Sequence, residues 1–172
     1  NLKIDIASAR EELYISPGFN PTVKDTTIER DLKRRDFSIN AIAFEILGKE
    51  VYDLFEGIKH IKTKELNYLH SKSVKDDPSR ILRCAKYASR LDFDISKSSL
   101  SQSQIFIKQW PWQNTERSTS IKFPPGISIR LRMELSEILK NDNLSKVIQL
   151  LYNWGVVSLI NEHLNLNPKF FR

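Results

Sequence analysis

Hydrophobic and polar residues alternate at the start of the chain, where Leu2, Ile4 and Ile6 are set against Lys3 and Asp5. A period of two predicts a strand over residues 2–7. Residues 16–27 carry Pro17, Gly18 and Pro21 and predict a loop. A helix is expected to start at Thr27 and run toward Arg34. Residues 41–47 predict a strand, Gly48 and Lys49 a turn, and residues 50–54 a second strand, which together make a hairpin. Beyond about residue 60 the period lengthens to that of a helix. Ile81, Leu82, Ala85, Ala88 and Leu91 form one apolar stripe. Helices are expected over residues 74–91, 98–108, 127–140 and 144–154. The stretch from Gln109 to Pro125 predicts an irregular connection, and its Trp110 and Trp112 either anchor that loop, the favoured reading, or stack on RNA bases. The pattern is therefore α+β: a mixed part over residues 1–60, then a helical part over 61–172.

Two polar clusters stand out against this pattern. The first is Arg34-Arg35-Asp36-Phe37-Ser38-Ile39-Asn40-Ala41. Arginine forks match phosphate oxygens two bonds at a time. On a helix, Asp36 and Asn40 would project on one face and could bond ribose hydroxyls. A basic helix start with a solvated polar face explains the spacing as well. In the second cluster, Asp77 is a good N-cap and Pro78 suits the first helical position. Arg80, Arg83, Lys86 and Arg90 recur at helical spacing and line one cationic edge. A capped core helix explains the cap and the stripe, but not why that edge is so uniformly basic.

Composition narrows the classes. The 172 residues carry 27 Lys and Arg against 21 Asp and Glu, a net charge of +6 that suits a polyanionic partner. Cys84 is the single cysteine, so no internal disulfide forms, and it is expected to be a small buried hydrophobe. The three histidines lack metal-ligand spacing. No apolar run reaches transmembrane length. The cytoplasm is the expected compartment.

Taken together, the two clusters resemble the class II tRNA nucleotidyltransferases, the CCA-adding enzymes, and their bacterial poly(A) polymerase relatives. The family pattern Arg-Arg-Asp-Phe-Thr-x-Asn-Ala is similar to residues 34–41, with Ser38 for Thr. The pattern Glu-Asp-Pro-x-Arg-x-x-Arg-x-x-Arg is similar to Asp76-Asp77-Pro78-Ser79-Arg80, then Arg83 and Lys86, with Lys86 for the last Arg. The segment from Ile4 to Tyr14 with Pro17, Gly18 and Pro21 after it, similar to the family's strand and flexible loop, the Arg130 and Glu134 pair of an Arg-x-x-x-Glu motif, and the run from Val147 to Gly155 extend the likeness. The hinge pattern Asp-x-x-Gly-Gly-x-x-Asp is met at Asp53 and Gly57, but Glu56 replaces a Gly and His60 an Asp.

The resemblance implies the C-terminal part of a polymerase-β-like nucleotidyltransferase head over residues 1–60 and an all-helical neck and body over 61–172. It implies an enzyme that adds C and/or A to tRNA 3′ ends from CTP or ATP without a nucleic-acid template. The same motifs serve a poly(A) polymerase, or a non-catalytic RNA- or nucleotide-binding module. It implies that Arg35, Asp36 and Asn40 hold the triphosphate and ribose, that Asp77 and Arg80 read the base edge, and that Arg83 and Lys86 help hold the nucleotide. Asp53 and Gly57 would form the hinge, and Arg130 and Glu134, paired along one helix, would brace the neck.

The family's catalytic Asp-x-Asp, which holds two Mg²⁺ ions, is expected upstream of residue 1. No catalytic residue is therefore assigned here, and the chain by itself is expected to be inactive. Asp5 is a weak accessory metal candidate. Asp92-Phe93-Asp94 has the spacing but reads as a turn after Leu91. The loop over residues 10–29 looks full length, which argues against a CC-only enzyme. The partners implied are CTP and/or ATP and the 3′ end of a tRNA or other RNA. Both polar clusters are expected to face one cleft.

Overall fold

A strand needs a neighbour to satisfy its backbone, and that decides where the sheets of this chain form. The computed structural model describes residues 3–14, 19–110, 125–140, 143–161 and 163–164. Residues 3–9 form no strand, and Ile4 and Ile6 are exposed. The alternation at residues 2–7 thus meets no pairing partner among the described residues. Pairing starts later: β1 (Arg10–Leu13) lies antiparallel to β2 (Thr22–Asp25), with Arg10 opposite Asp25 and Leu13 opposite Thr22. The expected loop therefore contains a strand. Pro17, Gly18 and Trp112 lie outside the described residues.

Helix α1 (Ile28–Lys33) starts after Thr27 and buries Asp31 and Leu32. It does not carry Asp36 and Asn40. Phe37 is extended, with φ −127° and ψ 149°, and residues Ser38–Asn40 make a single 3-10 turn. The cause is burial. Phe37 is fully enclosed, with its ring 5.6 Å from that of Tyr68 and 5.5 Å from that of Tyr87. Pulling that ring into the core takes the backbone off the helical path, and Ser38 N–H donates to the Asn67 carbonyl at 3.0 Å.

The expected hairpin forms in a shorter version, β3 (Ala43–Phe44) against β4 (Val51–Tyr52). Helix α2 (Gly57–Thr63) follows and runs across position 60. Asp53 caps it with both oxygens, accepting from Gly57 N at 2.6 Å and Ile58 N at 2.9 Å. Gly57 is required by close approach: a Cβ there would meet the Ser38 carbonyl oxygen and lie 2.7 Å from Ile42 Cγ1. Glu56 takes the left-handed conformation, φ 56°, at the position where the family pattern has a permissive Gly.

The second part is mainly helical, with one addition the sequence did not show. β5 (Glu65–Leu66) pairs in parallel with β6 (Asp94–Ile95). The single helix expected over residues 74–91 is two, α3 (Ser73–Asp76) and α4 (Ser79–Leu91). Asp77 between them is extended, at φ −144° and ψ 96°, as steric pressure from the ring of Pro78 favours. Asp92 ends α4 in the left-handed conformation, φ 57°, and turns the chain as expected after Leu91, but Asp94 already belongs to β6.

Helix α5 (Lys97–Lys108) is capped by Ser96, which accepts from Ser99 N at 3.2 Å. Trp110 is buried after it and packs on Phe106. Helices α6 (Pro125–Leu139) and α7 (Leu144–Asn153) both pack on α4. The core of this part joins Ile81, Leu82, Cys84, Ala85 and Ala88 of α4 to Ile138, Val147 and Leu151. Burial at 0 % exposure pushes the Cys84 thiol pKa well up, and a carboxylate at Asp36 adds to that. Among the described residues no helix is long and apolar enough to cross a membrane.

Candidate functional site

The apolar face of α4 fixes its position on the core, and this leaves its opposite edge against the 34–40 segment. The two polar clusters meet there. They line one cleft of about 640 Å³, closed on its other sides by β1 and α6. Arg10, Arg34, Arg35, Arg80, Arg83 and Arg130 line it, against the carboxylates of Glu12, Asp36 and Asp77. Six guanidiniums line it against three carboxylates, with Asp31 and Glu134 bonded behind them, which leaves the cleft cationic.

Arg35 is held on two sides. Its Nε and Nη2 donate to Asp31 Oδ1 at 3.2 and 3.1 Å, and Nη1 donates to the Asn40 carbonyl at 3.1 Å. Asp36 Oδ1 accepts from Phe37 N and from Asn40 Nδ2, both at 2.9 Å. Asp36 and Asn40 thus come together without a helix, through the 3-10 turn. Arg83 then ties the clusters to each other: Nη1 donates to Asp36 Oδ2 at 3.2 Å and Nη2 to Asp77 Oδ2 at 2.8 Å. Burial alone would lower the pKa of Arg83, but the carboxylates of Asp77, Asp36 and Glu134 outweigh it and raise it.

Asp77 does several jobs. Oδ1 accepts from Ser79 N at 3.1 Å and Ser79 Oγ at 2.7 Å, the capping bonds expected of it. The same oxygen accepts from Arg130 Nε at 3.3 Å. Oδ2 accepts from Arg83 Nη2 alone among the described residues and keeps a lone pair.

Arg80 differs from the expectation. It is 4 % exposed, and its donors go to protein: Nη2 to the Arg34 carbonyl at 2.8 Å, and Nη1 to Ser73 Oγ. Its Nε is buried without a partner. In this arrangement Arg80 staples the start of α4 to the first cluster.

Lys86 stands outside the cleft lining, with Nζ donating to Glu134 Oε2 at 2.7 Å. Arg130 and Glu134 do not form the i, i+4 pair their spacing predicts. Arg130 reaches Asp77, just before α4, and Glu134 reaches Lys86 and Arg83 of α4, so all three ion pairs leave α6. Arg130 Nη1 also donates to Asn20 Oδ1 at 3.2 Å, which links α6 to the segment before β2. At the hinge, His60 Nδ1 and Ser38 Oγ share a hydrogen bond of 2.8 Å. Two of the departures from the family pattern, Ser38 and His60, therefore touch each other at one helix–turn contact.

Sequence alone assigns no site role to Arg10, Glu12, Tyr14 or Asp31, and assigns one to Arg34 only as part of the arginine pair. Arg34 donates from Nε to the Arg10 carbonyl at 2.9 Å and from Nη1 to Glu12 Oε1 at 3.0 Å. Tyr14 OH donates to Glu12 Oε2 at 3.0 Å. Burial, reinforced by Glu12, pushes the Tyr14 pKa up to about 12. The signal was present: Arg10, Glu12 and Tyr14 recur at a period of two, so on a strand they share a face.

Asp5 is exposed, and among the described residues no group of three His, Cys, Asp or Glu could hold a metal ion. The described residues therefore do not fit a Mg²⁺ site.

Comparison with known proteins agrees with the motifs. The profile of the Poly A polymerase head domain matches residues 1–67. An A-adding tRNA nucleotidyltransferase of Aquifex aeolicus is 33 % identical over 171 residues, covering 98 % of this chain and 19 % of its own length. A CCA-adding enzyme in an apo form superposes with a TM-score of 0.80 at 31 % identity, over 98 % of this chain and 38 % of that one. A tRNA nucleotidyltransferase complexed with a primer tRNA and an incoming ATP analog gives a TM-score of 0.67 at 30 % identity, over 87 % of this chain and 42 % of that one. The chain thus spans about a fifth of the first relative and about two fifths of the two structures. With both ordered motifs facing one cationic cleft, and with this likeness over nearly all its length, the chain belongs to the class II tRNA nucleotidyltransferase family.

Proposed function

We propose that this chain supplies the nucleotide-holding cleft of an enzyme that adds C and/or A to tRNA 3′ ends from CTP or ATP. The observation that carries the reading is the meeting of the 34–40 and 77–83 clusters around six arginines. A triphosphate is the small ligand whose charge matches that lining. Residues 1–60 would complete the head, and 61–172 the neck.

Arg35 presents its remaining donors to phosphate oxygens. Asp36 and Asn40 bond the ribose hydroxyls. The free lone pair of Asp77 Oδ2 accepts from the exocyclic amino group of cytosine or adenine. Guanine and uracil place a carbonyl at that point, which the carboxylate repels. Arg80, as positioned, holds α4 in register. To donate to a base it must exchange its bond to the Arg34 carbonyl. Arg83 keeps Asp36 and Asp77 a fixed distance apart, so ribose and base are measured against each other.

The 3′-hydroxyl of the RNA attacks the α-phosphate, and pyrophosphate leaves. The family resemblance calls for Mg²⁺ in that step. The residues described do not supply its ligands. Cytoplasmic location is part of the same proposal.

The test is incubation of the complete protein with a tRNA lacking its 3′ end and each labelled nucleotide. Incorporation of CMP or AMP, and little of GMP or UMP, is expected. Equal use of all four overturns the base-reading roles. Extension of an unrelated RNA by many A residues replaces tRNA maturation with polyadenylation.

A further inference from the structure

Asp31 has no role in the proposed function, yet both of its oxygens are fully engaged, each by two donors. It is 4 % exposed. Oδ2 accepts from Arg10 N at 2.9 Å and from Arg34 Nη2 at 3.1 Å. Oδ1 accepts from Arg35 Nε at 3.2 Å and Arg35 Nη2 at 3.1 Å. A carboxylate offers about four lone-pair sites, and four donors fill them. Nothing is left for a substrate, a metal ion or a proton in transit. Burial alone would raise its pKa, but the Arg10 amide and the Arg34 and Arg35 guanidiniums outweigh burial and hold it below the ordinary carboxylate value. The group therefore stays charged and saturated.

Resting on the proposed nucleotide site, we infer that Asp31 is the positioning residue that sets the two adjacent arginines for a polyphosphate. An arginine that is 42 % exposed, as Arg35 is, ordinarily samples many rotamers. Here three of its five N–H donors are fixed, two by Asp31 and one by the Asn40 carbonyl. Two donors remain, on Nη1 and Nη2, and the side chain lines the cleft. Arg34 is fixed in the same way between Asp31, Glu12 and the Arg10 carbonyl. The cost of ordering both guanidiniums is thus met before the ligand arrives. Because Asp31 also takes the Arg10 amide, the setting of the arginines depends on β1 being docked on α1. An ordinary i, i+3 and i, i+4 helix pair would leave the carboxylate solvated; this one is buried and shared by two arginines and a strand.

The test is a double-mutant cycle on the complete protein, read by ATP affinity. Asp31→Asn is expected to weaken ATP about tenfold, the loss of one charge-assisted orientation. It is expected to leave the relative use of the four nucleotides unchanged, because Arg34 and Arg35 do not touch the base. In an Arg35→Ala background, Asp31→Asn is expected to add less than half of its single effect. Independent, fully multiplying effects overturn the inference, and so does an Asp31→Asn protein that binds ATP like the parent. If Asp31→Asn does not fold, Asp31→Glu takes its place: it keeps the charge and moves the carboxylate by one methylene, and the same cycle is read. Failure of the parent protein to bind ATP or CTP overturns the nucleotide site itself, a separate result.

Discussion

Asp77→Asn separates a helix cap from a reader of the base. The substitution keeps shape and replaces one carboxylate oxygen by a donor. The cap survives, since Asn accepts from Ser79 N as Asp does. The change falls on Oδ2, where an amide would point N–H groups at Arg83 Nη2, now 2.8 Å away. A charge-assisted bond contributes about 1.5–3 kcal/mol. Arg83 keeps Asp36 at 3.2 Å and Glu134 at 3.6 Å, and its side chain is 28 % exposed, so the low end applies. A stability loss of about 2 kcal/mol is expected. For a unit of this size that lowers the thermal midpoint by roughly 2–4 °C per kcal/mol. The incoming base then meets a donor in place of an acceptor, and UTP or GTP use rises relative to CTP and ATP by about tenfold. The assay is incorporation of each of the four nucleotides beside a thermal melt. An unchanged midpoint with an unchanged preference refutes both the pairing with Arg83 and the base contact. A lowered midpoint with an unchanged preference leaves Asp77 as an organiser of arginines and rejects base reading.

Gly57→Ala is expected to cost about 1–3 kcal/mol, because the new methyl meets the Ser38 carbonyl and Ile42; a melt within a degree of the parent contradicts that packing. Cys84, fully buried with its thiol pKa pushed up by desolvation, is expected to ignore an aromatic disulfide reagent at neutral pH until the protein is denatured; rapid labelling of the native protein contradicts it. Asp31 has a pKa held below the ordinary carboxylate value, so its stabilisation is complete above that value and is lost as pH falls through the lowered one. Asp31→Asn is therefore expected to flatten the acid limb of stability, and denaturant midpoints between about pH 5 and pH 2 that fall in parallel for both proteins contradict this.

Local rules carried much of this protein. The period of the apolar residues located α4, α5, α6 and α7 to within two residues at each end, apart from the break at Asp77. Pro78 and Asp77 announced a cap, and the capping bond is there. Two clusters of charge named most of the cleft lining. These features depend on neighbours in sequence, so the sequence determined them.

Tertiary structure decided the rest. The strand expected at residues 2–7 has no partner among those described, while β2 rose inside a presumed loop because β1 lay beside it. The helix expected to run toward Arg34 ended at Lys33, and Asp36 and Asn40 met through a separate 3-10 turn beside the buried ring of Phe37. Arg80 read as a donor to a base and turned out to be buried against the Arg34 carbonyl, a group 46 residues away. Arg130 and Glu134 read as partners and each paired across to another segment. Asp31, one more acidic residue on a short helix, became the anchor of two arginines only when β1 closed over it. A charged side chain exposes its type in the sequence but not its partner. The partner is set by which elements the core brings together, and in this cleft the burial of Phe37 and the apolar face of α4 made that choice.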